Sequence, residues 1–327
     1  MIRHLTPILR TAAVQLGGLL SESARPCPLC RTPASGVHLL PEVRITLPKE
    51  AVLHDICRDC ALGIAWIGPI ACVVCGRPDP CGDCIRRDNA NFICSRSAVR
   101  YNDQVREWLA QFKYRGDERL AQPLADMLDI AWCRLEATLQ SRDASHRWDA
   151  IIPVPVSAER LAERGFNQAE LLAGQLCDRR GLPLYKLLIR TRHSEKKSLQ
   201  SRHARLKSTK GLFVADEAVM HTFLQDMSAR AHRSSVSSEA SVNLISRLRL
   251  NMQRQRRDRG MSCKPAQGLL RTDRQMSVSQ PIRILLIDDI YTTGSTIEAC
   301  SEAIMTKLQQ YAPERNVYVY AITLARS

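Results

Sequence analysis

The chain has 327 residues, 45% of them hydrophobic, enough for two domains or one large domain with an appendage, and for a sizeable core. Its formal charge of +14 points to a polyanionic partner, nucleic acid or a phosphorylated ligand, although 5% aromatics is thin for a surface that stacks unpaired bases. Thirteen cysteines do not make it a secreted disulfide scaffold, because the N-terminus lacks the apolar core and cleavage site of a secretory signal.

The opening run MIRHLTPILRTAAVQLGGLL spaces its leucines for an amphipathic lead-in helix. No segment approaches the about 18 apolar residues of a membrane span, so the expected location is the cytoplasm. Cysteines follow as four Cys-x-x-Cys pairs: Cys27/Cys30, Cys57/Cys60, Cys72/Cys75 and Cys81/Cys84. Each pair presents two thiolates to a tetrahedral ion, so a zinc module is expected over residues 20–88. A thioredoxin-like redox pair does not fit, since four pairs cluster without a βαβ context. The natural partition is Cys27, Cys30, Cys57 and Cys60 on one zinc ion, with Cys72, Cys75, Cys81 and Cys84 on another. The pairs of the second set are only five residues apart, which leaves a crossed arrangement, or one ion with spare thiols, open. Modules of this size bind nucleic acid or staple a small fold. The remaining cysteines are scattered singles, expected to be buried as small hydrophobes.

From about residue 90 to 327 the pattern is α/β. Phe92–Tyr101 reads as a strand, and Asp103–Lys113 as a helix with Val105, Trp108, Leu109 and Phe112 on one face. A second helix starts near Asp117. Trp148–Val154 is a short apolar strand, Asn167–Arg180 a helix closed by Gly181, and Pro183–Ile189 a further strand before a basic loop, Arg190–Lys210. Arg283–Ile287 is a buried strand, Ser295–Gln309 a helix and Val317–Leu324 the last strand. Strands alternating with helices predict a parallel sheet flanked by helices. Glu217–Gln280 breaks this rhythm: rich in Ser, Arg and Gln, it reads as a disordered or weakly helical basic insertion.

The most informative run is Ile287-Asp288-Asp289-Ile290-Tyr291-Thr292-Thr293-Gly294-Ser295-Thr296. A buried strand ends in two acids, and a Thr/Gly/Ser turn then opens a helix. Free N–H groups at that helix start, with the hydroxyls of Thr292, Thr293, Ser295 and Thr296, form an anion site, and Gly294 lets the backbone approach the ligand. Two adjacent carboxylates suit a ribose diol or a hydrated Mg²⁺. An ordinary capped helix accounts for one hydroxyl, not for two acids and this ordered turn. No Walker A loop is present.

This run resembles the phosphoribosyl pyrophosphate loop of type I phosphoribosyltransferases. The resemblance implies that Asp288 and Asp289, as the catalytic pair, hold the ribose hydroxyls, that Thr292–Thr296 cradle the 5′-phosphate, and that Mg²⁺ accompanies phosphoribosyl pyrophosphate. Purine-salvage members carry an acidic general base where Thr292 stands, which argues against 6-oxopurine chemistry. Phe112-Lys113-Tyr114-Arg115-Gly116-Asp117 and Arg164-Gly165-Phe166-Asn167-Gln168, together with the cysteine pairs, are similar to the ComF family of competence or DNA-utilisation proteins. That resemblance places a pyrophosphate loop at Val154–Arg164, where Arg160 and Arg164 supply the cationic donors a diphosphate needs. It departs at Lys196–Phe213, where family members often carry Gln, Leu and Asn in a mobile loop and this chain has Lys197, Gln200 and Ser208.

Three functions fit. The first is a phosphoribosyltransferase-like protein that binds phosphoribosyl pyrophosphate and serves DNA uptake or use of imported DNA, with single-stranded DNA and DNA-uptake proteins as partners. The second is a genuine transferase in nucleotide salvage, although no base-recognition hood is evident in the sequence. The third is a nucleic-acid-binding module whose loop grips a backbone phosphate.

Overall fold

The computed structural model describes residues 25–33, 47–85, 90–143, 146–191, 211–230 and 280–327. The cysteine segment carries two short helices, α1 (Arg58–Gly63) and α2 (Gly82–Ile85). Then come β1 (Cys94–Arg100), α3 (Asp103–Tyr114), α4 (Ala121–Gln140) and β2 (Ala150–Pro153). Next are α5 (Ala158–Arg164), α6 (Gln168–Arg180), β3 (Leu188–Arg190) and β4 (Phe213–Ala215). The chain closes with a helix α7 over 217–230, β5 (Ile282–Tyr291), α8 (Ser295–Tyr311) and β6 (Val317–Arg326).

The expected α/β architecture is present. Four parallel strands pair in the order β1-β6-β5-β2, with Ile282–Tyr291 in register against Val317–Arg326. β5 is an almost unbroken apolar run because both its faces are covered. Its side chains alternate: Leu285 and Ile287 join the core beneath α3, α4 and α6, while Ile282, Ile284 and Leu286 join the core beneath α8. On the first face, Asp126 and Asp129 of α4 are buried and pair with Arg179 and Arg180 at the end of α6. These ion pairs lock the two helices in one register.

The cysteine segment lies along β1. Ile67 N–H donates to Ala98 O at 3.0 Å, Ser95 N–H to Val74 O at 2.7 Å and Arg100 N–H to Ala65 O at 2.8 Å. The open edge of the sheet is thereby covered. Cys27 and Cys60 belong to the core of one sheet face, Cys75 and Cys81 to that of the other. The two halves of the segment therefore grip the sheet from opposite sides.

Three expectations change. Val154–Arg164 is not a loop throughout: Ser157 caps a helix, α5, that ends at Gly165 with φ +80°. Pro183–Ile189 is a strand only at its end. Leu184 makes an isolated parallel bridge to Ile151, and Leu188–Arg190 instead pairs antiparallel with β4 as a separate ribbon. The stretch from Glu217, read as disordered or weakly helical, begins as a helix packed into the core rather than as a loose insertion. Met220, Phe223 and Met227 of α7 are buried in the α8-side core, Tyr185 Oη bonds Asp226 at 2.7 Å, and Arg230 bonds Asp149 O at 3.1 Å. The apolar spacing of three and four is present there, but the polar composition downstream hides it. The lead-in helix, most of the basic loop with Lys197, Gln200 and Ser208, and residues 231–279 lie outside the described residues. Among the described residues no helix is long and apolar enough to cross a membrane.

Candidate functional site

β2 stops at Pro153, opposite Ile287, while β5 continues to Tyr291. The divergence opens a crevice at the carboxyl ends of the strands, where ligands bind in open parallel sheets. A cleft of ≈ 580 Å³ occupies it, within the range of small-molecule sites, about 300–1,000 Å³. Five cationic side chains, Arg106, Lys113, Arg160, Arg164 and Arg190, line it against two acids, Asp288 and Asp289. The excess suits an anion of several charges.

The floor is the acid pair. Lys113, in the last turn of α3, forms an ion pair with Asp289; the two side chains are 15% and 16% exposed. Burial and then the adjacent Asp289 charge push Asp288 up to about 8. Asp289 is held below the ordinary carboxylate range, because the Lys113 ammonium outweighs its desolvation. The two acids are thus pushed in opposite directions, Asp288 up and Asp289 down.

At one end the chain turns from β5 into α8. Gly294 is the N-cap residue at φ +77°, and no side chain caps this helix start. The first N–H groups of α8 are thus left for a ligand. Thr292, Ser295 and Thr296 line the cleft, whereas the Thr293 hydroxyl turns back to Ser295 Oγ at 3.2 Å. A Cβ on Gly294 would lie 2.1 Å from Tyr291 Oη, so glycine is required here by space as well as by φ.

The opposite wall is α5. Its helical spacing sets Arg160 and Arg164 on one side, both facing the cleft. Arg164 is braced: it donates to Gln168 Oε1 at 2.8 Å and Tyr114 Oη at 3.1 Å, and its guanidinium lies 4.7 Å from the Tyr114 ring centroid. Asn167 ties the end of this wall to β2 through Val154 O at 3.1 Å and caps α6 through Ala169 N–H. Arg190 enters from the β3–β4 ribbon. Burial, then the nearby Arg160 charge, pull its guanidinium below the usual range.

The eight thiols gather as the natural partition expects: Cys27, Cys30, Cys57 and Cys60 in one cluster, Cys72, Cys75, Cys81 and Cys84 in the other, with all sulfurs of each within 4.8 Å. Zinc–sulfur bonds of about 2.3 Å in a tetrahedron set sulfurs ~3.8 Å apart. Cys30 and Cys57 stand at 3.5 Å and Cys75 and Cys81 at 3.6 Å, so both sets fit a structural zinc ion. The first pair of each set forms the same knuckle. Arg31 N–H returns to Cys27 O and Gly76 N–H to Cys72 O, both at 2.9 Å, with Arg31 at φ 66° and Gly76 at φ 67°. Burial pushes Cys27, Cys60, Cys75 and Cys84 up, while hydrogen bonds from Thr32 bring Cys30 down to about 6 against its desolvation. Loading a divalent ion would therefore release protons.

No protein-family profile matches the chain. It is 34% identical over 164 residues to the competence protein ComFC of Bacillus subtilis, an alignment covering 47% of this chain and 63% of that relative. A second match is the competence protein ComFC of Streptococcus pneumoniae, 22% identical over 271 residues, 82% of this chain and 86% of the relative. The chain is thus similar to two ComFC competence proteins. It spans less than two thirds of the length of the Bacillus ComFC.

The acid pair, the helix start and both arginines of the RLAERG run converge on one cleft. Thr293 and Gly294 stand behind its surface. The sequence singles out neither Arg106 nor Arg190 for the cleft. Arg190 falls at the start of a basic loop, and only the β3–β4 pairing turns it inward. Nothing in the Phe112-Lys113-Tyr114 run shows that α3 ends above Asp289.

Proposed function

We propose that this chain binds a phosphoribosyl ligand, phosphoribosyl pyrophosphate first among them, and serves the uptake or use of DNA in competence. The observation that carries the ligand reading is the meeting, in one cleft, of an uncapped helix start, a paired-acid floor and a wall of Arg160, Arg164 and Arg190. The N–H groups of α8 with Thr292, Ser295 and Thr296 suit the 5′-phosphate. Asp288 and Asp289 suit the ribose hydroxyls as paired acceptors, with the raised Asp288 the one that more readily donates. Forked guanidiniums suit the diphosphate.

The acid pair does not fit a Mg²⁺ site. Asp289 already faces the Lys113 ammonium, and burial with the neighbouring charge raises Asp288, which weakens it as a cation ligand. A dication at this point would have to displace Lys113. The competence role rests on the names of the two ComFC relatives.

Calorimetric titration with phosphoribosyl pyrophosphate, with and without Mg²⁺, tests the reading. Asp288→Asn with Asp289→Asn should weaken binding by about 1.5–3 kcal/mol, the worth of charge-assisted hydrogen bonds. Absence of wild-type binding at millimolar ligand refutes it. Release of pyrophosphate in the presence of one nucleobase, abolished by Asp289→Asn, would make the protein a transferase instead.

A further inference from the structure

The last residues of β6 connect the second cysteine cluster to the phosphate loop. Arg326 is 5% exposed, and its Nη1 donates to Cys75 O at 2.9 Å. The same guanidinium lies 4.5 Å from the centroid of the Tyr291 ring. Its Nε has no hydrogen-bond partner among the described residues, and no carboxylate there pairs with it. A buried cation needs a counter-charge, and the Cys75 thiol, whose ionisation burial opposes and the Arg326 charge favours, ties this guanidinium to the cysteine cluster.

Tyr291 in turn is 2% exposed and ends β5 directly before Thr292. Ser327 N–H fixes its carbonyl at 3.0 Å. Its phenol fills the space beside the α-carbon of Gly294, the residue that starts α8 in the left-handed conformation. From Cys75 through Arg326 and Tyr291 to Gly294, each link is a direct contact. Among the described residues the Cys27 cluster has no comparable path, since it packs on the opposite face of the sheet.

We propose that Arg326 and Tyr291 are positioning residues through which the Cys72/Cys75/Cys81/Cys84 cluster holds the phosphate loop in its anion-binding shape. Metal loading of this cluster fixes the Cys75 carbonyl, the carbonyl fixes Arg326, and the stacked ring keeps Gly294 in its left-handed turn. Metal occupancy and anion affinity are then linked, and by reciprocity the anion would stabilise the metal. The affinity arm of this proposal rests on the phosphoribosyl reading above; the loop arm does not.

The test uses the full chain. In the absence of ligand, amide hydrogen exchange is measured over 292–296 in wild type, Arg326→Met and Arg326→Lys, alongside zinc content. Lysine keeps a buried cation but cannot bond Cys75 O and lie flat on Tyr291 together. Both variants should keep their full zinc content, exchange these amides at least about tenfold faster, and bind ribose 5-phosphate at least about tenfold more weakly. Cys81→Ser should speed loop exchange and weaken binding likewise, but with the loss of one zinc. Cys30→Ser should lose one zinc and leave the loop unchanged. Unaltered loop exchange in the zinc-replete Arg326 variants overturns the proposal, as does an equal effect of Cys30→Ser, which would mean that general destabilisation is at work. If the loop loosens as expected but wild type binds no ribose phosphate, the coupling stands and the phosphoribosyl reading falls.

Discussion

Replacing Lys113 with methionine removes the ammonium from the floor of the cleft and leaves Asp289, 16% exposed, beside Asp288 with no cation against it. Orphaning one partner of a buried ion pair costs about 3–5 kcal/mol. The cost has a ceiling, because the stranded acid can take a proton instead. Protonating a carboxyl of ordinary pKa 3.8 costs about 1.4 kcal/mol per pH unit above that value, hence ~4 kcal/mol at pH 7 and ~1.6 kcal/mol at pH 5. Allowing for residual solvent contact, a loss of about 2–3 kcal/mol is expected at pH 7 and under ~1.6 kcal/mol at pH 5. The sign follows from proton counting. In the variant the folded state holds a proton that the unfolded state has released, so stability falls as pH rises. Asp288, already pushed up to about 8, contributes the same downward slope in the wild type between about pH 4 and 8, and Asp288→Asn should flatten it. Urea unfolding at several pH values, with m unchanged, measures both. A Lys113→Met loss that is independent of pH, or below about 0.5 kcal/mol at pH 7, refutes the assignment of Lys113 as the counter-charge of Asp289.

Two further predictions concern the parts that frame the cleft. Elemental analysis should find two zinc ions per chain, with Cys75→Ser removing one and a strong chelator unfolding the cysteine segment; a folded, metal-free chain would contradict the two-cluster geometry. Phe223→Ala should cost about 3–5 kcal/mol, because that ring is fully buried against Tyr185, whereas deletion of 231–279 alone, joined by a Gly/Ser linker, should shift Tm by only a few degrees; comparable losses from both would show that the later residues also pack on the core.

Much of this protein is local enough to read along the chain. Apolar spacing marks the helix at Asp103–Tyr114, and an unbroken aliphatic run marks β5, since each pattern depends only on the element's own period. The paired cysteines and the Asp-Asp-x-x-Thr-Thr-Gly-Ser-Thr run are likewise local, because a knuckle and a strand-to-helix turn are each completed within a few residues. The helix over 217–230 was legible at that scale too and was obscured only by the polar residues after it. What the sequence could not decide was which of these pieces meet. Lys113 reaches Asp289 across 176 positions only because α3 ends over the carboxyl end of β5. Arg190 turns inward through antiparallel pairing with a strand beyond the basic loop, and Arg326 touches both Cys75 and Tyr291 because β6 runs parallel between β1 and β5. Charge and hydrogen-bonding capacity belong to a residue, but a perturbed carboxylate, a shared anion site or a coupled loop is a property of distance, and distance here is set by the order of strands in the sheet.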